Sequence, residues 1–160
     1  MSAAQIAPFA SRLPGRALLA GAVALSAFDL YGQGIAPLVG LDRLAPIQLA
    51  QQVPGEAFGW PDLAAAHVLH YAVGLGLYPL GWLLVADPLR RRAGLGRLPA
   101  ALGYGVALWV FAVYGVAHVL AGDAPFLGFS GITWSALLGL VIYAAAFAAV
   151  DRTLAPDPAS

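Results

Sequence analysis

The groups able to do chemistry in this chain are few, and most of them stand inside apolar runs. Asp29 interrupts the stretch Ala17–Val39, about ten residues before its distal end. At about 1.5 Å per helical residue that is roughly 15 Å deep, near the middle of a bilayer. A carboxylate there costs about 2.5–3.5 kcal/mol to insert, so it is expected to face protein rather than lipid. His67 and His70 are three residues apart in the next apolar run and share a helix face. His118 lies near the end of the third run. Counting residues from the run ends gives two tiers, Asp29 with His70 deeper and His67 with His118 shallower. Tyr31, Tyr71 and Tyr114 stand close enough in sequence to add hydroxyls. The expected polar cluster is therefore Asp29, His67, His70, Tyr71, Tyr114 and His118.

Three chemistries suit such a set. Neutral imidazoles on facing helices can ligate a haem iron, so haem b between His67 or His70 and His118 is one reading. Aspartate and histidine chains also relay protons in pumps and small transporters, which would use Asp29 and His70. The third is structural: polar side chains that hydrogen-bond and hold helices together. On any of the three, Asp29 and His70 are expected to meet, within hydrogen-bond reach or through one water. Cysteine is absent, which excludes disulfides and thiolate chemistry. No nucleophile constellation or metal signature is visible, so no catalytic residue is assigned, and a metal is left open.

Four apolar segments must position these groups: Ala17–Val39, Leu63–Ala86, Pro99–Ala121 and Gly131–Val150. Each is long enough to cross a hydrocarbon core of about 30 Å. The first is too long for a signal peptide's apolar core and is expected to be retained. Hydrophobic residues make up 61% of the chain and charged residues 10%. A soluble domain carries about 25% charged residues, so too little charge is present to cover a water-facing surface. The expected fold is an all-α, up-and-down bundle of four transmembrane helices, one domain over residues 1–160. The formal net charge is zero, which gives no field for nucleic acid. All eight basic residues are arginines. Arg12, Arg16, Arg90, Arg91, Arg92, Arg97 and Arg152 fall on one side of a four-span topology, and only Arg43 on the other. The positive-inside rule then puts both termini in the cytoplasm.

Local signals refine the helix ends. Trp60-Pro61-Asp62 reads as a helix start, Asp87-Pro88 as a stop, and Ser130 as an N-cap. Trp60 and Trp134 suit the outer interface. In the outer loop, 40–60, Leu41, Leu44, Ile47 and Leu49 alternate with polar residues. That pattern fits a short surface helix and equally an irregular loop. Gly131, Ser135 and Gly139 recur every four residues, a small-residue face for close helix packing. Gly74 and Gly81 thin the second helix, which Pro79 should kink. The pairs Gly32/Gly34, Gly74/Gly76 and Gly103/Gly105 lack the strand–loop–helix setting of a phosphate loop and read as packing. Arg90-Arg91-Arg92 reads first as a topology signal, with binding of anionic lipid headgroups as the alternative.

The aspartate in Ala27-Phe28-Asp29-Leu30 and the pattern His70-Tyr71-Ala72-Val73-Gly74 resemble those of a family of small four-helix bacterial inner-membrane proteins, uncharacterised and classed as a domain of unknown function. The resemblance implies architecture and a bacterial inner-membrane location; His67 and His118 lie outside its pattern. With no soluble domain to hold a substrate, the expected role is non-enzymatic: an accessory or scaffold subunit. Its partners would be the lipid bilayer and another membrane protein or a second copy of itself, the helix 4 small-residue face being the docking surface.

Overall fold

The computed structural model describes residues 3–59 and 62–155, with side chains from residue 14 onward except those of residues 57 and 58. Among the described residues, four helices are long and apolar enough to cross a membrane. α1 spans Pro14–Leu38 and continues a helix that begins at Ala3. A short helix, α2, covers Pro46–Phe58. The other three spans are α3 (Leu63–Arg92), α4 (Arg97–Leu120) and α5 (Gly131–Leu154). No strand occurs among the described residues.

Neighbouring spans run antiparallel. Between α1 and α3, Gly21 lies against Pro79, Leu25 against Gly74 and Asp29 against His70. Between α3 and α4, Tyr78 meets Phe111 and Trp82 meets Tyr104. α5 packs along both α4 and α1: Gly105 meets Val141, and Gly139 meets Phe28. The result is an up-and-down four-helix bundle. Its core is built on the fully buried Trp82, Tyr143 and Phe147, with alanines 20, 24, 101 and 148 between the helices.

Glycine allows the closest approaches. A Cβ on Gly105 would stand 2.7 Å from the Cα of Val141 and 3.0 Å from the Leu140 carbonyl oxygen, so α4 and α5 touch backbone to backbone there. The small-residue face of α5 is also filled from within the chain. Gly139 takes Phe28 and Leu44, Ser135 is fully buried, and Gly131 sits against the Asp42 carboxylate. Ser135 and Gly139 are thereby buried, while Gly131 remains exposed.

Prolines shape the spans by widening them. Three π-helical stretches, Leu30–Ile35, Val73–Leu77 and Trp82–Ala86, each end two residues before a proline: Pro37, Pro79 and Pro88. In each case the residue preceding the proline donates its N–H five residues back, Ala36 to Tyr31, Tyr78 to Val73 and Asp87 to Trp82. A proline ring clashes with the carbonyl four residues earlier, and one wide turn relieves the clash without breaking the helix. Asp87-Pro88 accordingly does not stop the helix: Asp87 keeps helical angles and α3 runs on to Arg92. The same geometry leaves the Gly74 carbonyl without a helical donor, since Tyr78 has turned to Val73 and Pro79 has no N–H. The Tyr143 hydroxyl donates to it at 2.5 Å.

At the other predicted ends, Asp62 caps α3 by accepting from Ala64 N–H at 2.7 Å. Trp60 and Pro61 lie outside the described residues. Ser130 occupies the N-cap position of α5 but does not cap it; its hydroxyl donates to the Leu127 carbonyl instead. Residues 126–129 preceding it form a left-handed turn, with φ of 49° at Phe126, 52° at Leu127 and 52° at Phe129. Left-handed L-residues cost about 1–2 kcal/mol each. The turn is held by Thr133 Oγ1 donating to the Phe126 carbonyl, and by Phe126 packed between Trp109 and Tyr114.

The arginine-rich end of the bundle is tied by one carboxylate. Asp151 is fully buried on α5 and binds Arg16 of α1 at 2.5 Å and Arg97 of α4 at 2.8 Å. Asp87 holds Arg90 and Arg91 within α3, at 2.6 and 2.9 Å.

Candidate functional site: a cavity at the loop end

The opposite end of the bundle is open inside. Four spans separate around a cavity of about 480 Å³, and α2 lies across it. The sequence of α2 explains its placement. Leu49, Ala50 and Val53 line the cavity, and so do Gln48 and Gln52 on the more solvent-facing flank. Leu44 anchors the segment before α2: its N–H donates to the Gly32 carbonyl at 2.9 Å, inside a π stretch, and its side chain fills the space left by Gly32 and Gly139. The loop 40–60 thus contains the surface helix that its pattern allowed.

Wide turns line the cavity on two spans, and a third follows Asp29 on α1. Leu30–Ile35 follows Asp29 directly, Val73–Leu77 begins three residues after His70, and Phe111–Leu120 carries both Tyr114 and His118. Such turns recur at functional sites because they displace side chains from regular helical spacing. Val73, Gly74, Leu77, Phe111 and Val113, all from these stretches, line the space. The walls are mostly aliphatic and aromatic, and polar side chains enter at few points, His70 and Asp123 among them. A volume in the range of about 300–1,000 Å³ with apolar walls and a few polar groups is the usual form of a small-molecule site.

Asp29 and His70 face each other across α1 and α3, with Asp29 Oδ1 3.4 Å from His70 Nε2. That is long for a direct hydrogen bond and within the range of an ion pair with a protonated ring. Gln33, one turn along α1, points its Nε2 at the same Oδ1, also at 3.4 Å. Asp29 is therefore held loosely by two partners; His70 lines the cavity and Asp29 itself does not. Tyr71 stacks edge-on to His70, with ring centroids 5.3 Å apart, but is itself exposed.

The remaining members of the expected cluster occupy separate environments. His67 is exposed, and its Nδ1 pairs with the Leu63 carbonyl of its own helix at 2.8 Å. His118 Nδ1 pairs with the Asp123 carbonyl at 2.7 Å, and its ring lies against Tyr114. Tyr114 is exposed on its other side and belongs to the aromatic group around Phe126. His67 is exposed within the regular α-helical stretch Leu63–Ala72, whereas His118 lies in the wide stretch Phe111–Leu120. Among the described residues, no three histidine or carboxylate side chains gather into a metal-binding group.

Several site residues escaped the sequence reading. Gln33 is four residues after Asp29, a spacing that could have nominated it. Asp123 reads only as a loop acid until the chain folds it onto the cavity. Gln48 and Gln52 share a face of α2 by the same four-residue rule. Geometrically, the site can enclose an apolar body and hydrogen-bond a polar group at His70 or at the glutamine amides. No family model, curated protein or solved structure matches the chain.

Proposed function

We propose that this chain is a small non-enzymatic membrane protein that binds a lipid-soluble molecule in its loop-end cavity, an accessory component that holds such a ligand for other proteins of a bacterial inner membrane. The cavity carries this reading: an apolar space of about 480 Å³ inside a bundle whose other end is tightly packed. Sequence supplies the orientation. With seven arginines at the termini-bearing end, the positive-inside rule puts the cavity in the half of the bundle away from the cytoplasm. A scaffold role through the α5 small-residue face has less to rest on, because Ser135 and Gly139 are buried within the chain. The separate settings of His67 and His118 lend no support to haem held between them.

The test is to purify the full chain in mild detergent, extract it with organic solvent, and compare it with Ala136→Phe, which fills the cavity wall. A stoichiometric apolar compound in the native extract, absent from the variant, is the expected result. Equal extracts from two folded proteins would contradict the proposal.

A further inference from the structure

The charge of the cavity goes further than its volume. Resting on the binding reading above, we infer that its ligand is a lipophilic cation: a bulky apolar body carrying an amine, quaternary ammonium or comparable positive centre.

No arginine or lysine lines the cavity. Asp123 lines it directly, and Asp29, outside the lining, pairs with the lining His70 at 3.4 Å. The one imidazole of the lining thus has a carboxylate of its own, and Asp123 adds a further negative charge. Asp123 has no ion-pair partner among the described residues, in contrast to Asp87 and Asp151, which each hold two arginines. An anion entering this space would meet carboxylates with no cation to offset them, and like charges in a poorly hydrated site repel by several kcal/mol. A cation meets the reverse.

The walls add to the same preference. Phe28, Tyr78, Phe111 and Tyr143 line the space, and Tyr78 packs edge-on to both Phe111 and Tyr143. Aromatic faces attract a positive centre within about 6 Å, most strongly where water is excluded. The side-chain oxygens of Gln48 and Gln52 are further acceptors at the α2 side. An acidic, aromatic, arginine-free cavity is therefore matched in sign to a cation and in surface to its apolar substituents.

Two probes of nearly identical shape and opposite charge, tetraphenylphosphonium and tetraphenylborate, separate sign from shape. Binding of each to the full chain in lipid nanodiscs is measured by equilibrium dialysis. Ala136→Phe serves as the blank that removes partition into lipid, and its fold is checked by circular dichroism. The phosphonium is expected to bind at least tenfold more tightly than the borate. Asp123→Asn and Asp29→Asn, both isosteric, should each weaken it about tenfold, the effect of one charge near 10 Å in a medium of intermediate dielectric. Borate binding as tight as phosphonium, and lost in Ala136→Phe, overturns the charge inference and leaves the cavity as a binding site. Phosphonium binding unchanged by either carboxamide variant also overturns it. Absence of cavity-dependent binding by both probes overturns the inference, while the solvent extract of the native protein still decides the binding reading separately.

Discussion

The two ends of this bundle handle their carboxylates in opposite ways. At the arginine-rich end Asp151 is fully buried and grips Arg16 and Arg97 at 2.5 and 2.8 Å, joining three helices. At the loop end Asp29 keeps partial exposure and meets His70 and Gln33 only at 3.4 Å, beside an open cavity. The first arrangement fixes the relative positions of α1, α4 and α5. The second satisfies its charge incompletely and leaves capacity for another molecule. On the proposed reading, stability and binding belong to different ends of the same four helices.

Substitutions can break or sharpen that contrast. The largest loss of stability is expected for Asp151→Ala, which strips two largely buried guanidiniums of their shared carboxylate; about 3–5 kcal/mol is typical for breaking such a pair. Thermal or denaturant unfolding in detergent measures it, and a loss below about 1 kcal/mol, as for surface pairs, would remove the lock from the arginine-rich end. Gly105→Ala should follow, at about 1–3 kcal/mol, because the added methyl meets the Val141 backbone, which cannot turn aside. A neutral outcome would mean that α4 and α5 can separate. Tyr143→Phe removes the donor to the Gly74 carbonyl and should cost about 1–3 kcal/mol. Infrared spectroscopy with a labelled Gly74 carbonyl should show the same bond lost. The smallest effect belongs to Asp29→Asn. Its contacts are long and Gln33 can still donate to the amide oxygen, so a change under about 1 kcal/mol is expected, with ligand binding altered far more than unfolding. A loss as large as that of Asp151→Ala would erase the distinction between the two ends.

Much of the fold was legible because membrane crossing imposes it. Four apolar runs, their spacing and the absence of strand patterning suffice for an up-and-down bundle. Asp29 and His70 were legible as a pair from depth alone, since two polar groups on consecutive helices have little choice of partner. The end of α3 was misplaced because proline was read as a stop, whereas a wide turn ahead of Pro88 absorbs it. Three of the four wide turns end two residues before a proline, a sequence-accessible signal, while Phe111–Leu120 has no such proline. Asp151 was passed over because the rule that orients the helices weighs arginines and gives acids little part. A lone acid after the apolar run ending at Val150, facing seven arginines, was nonetheless present in the sequence. The cavity had no local signature: it arises where Gly74, Val113, Asp123, Ala136 and α2 come together, from segments far apart along the chain.

The most direct measurement of the central claim is photolabelling of the membrane-reconstituted full chain with an apolar diazirine, with adducts mapped by mass spectrometry. Lipid-facing positions such as Leu18, Leu84 and Leu98 will be labelled in any case. If the loop-end cavity receives lipid-soluble molecules, adducts also appear on Leu49, Val73 and Ala112 and disappear in Ala136→Phe while the lipid-facing ones persist. Labelling confined to the lipid-facing positions, with the cavity residues silent in the native protein, would contradict it.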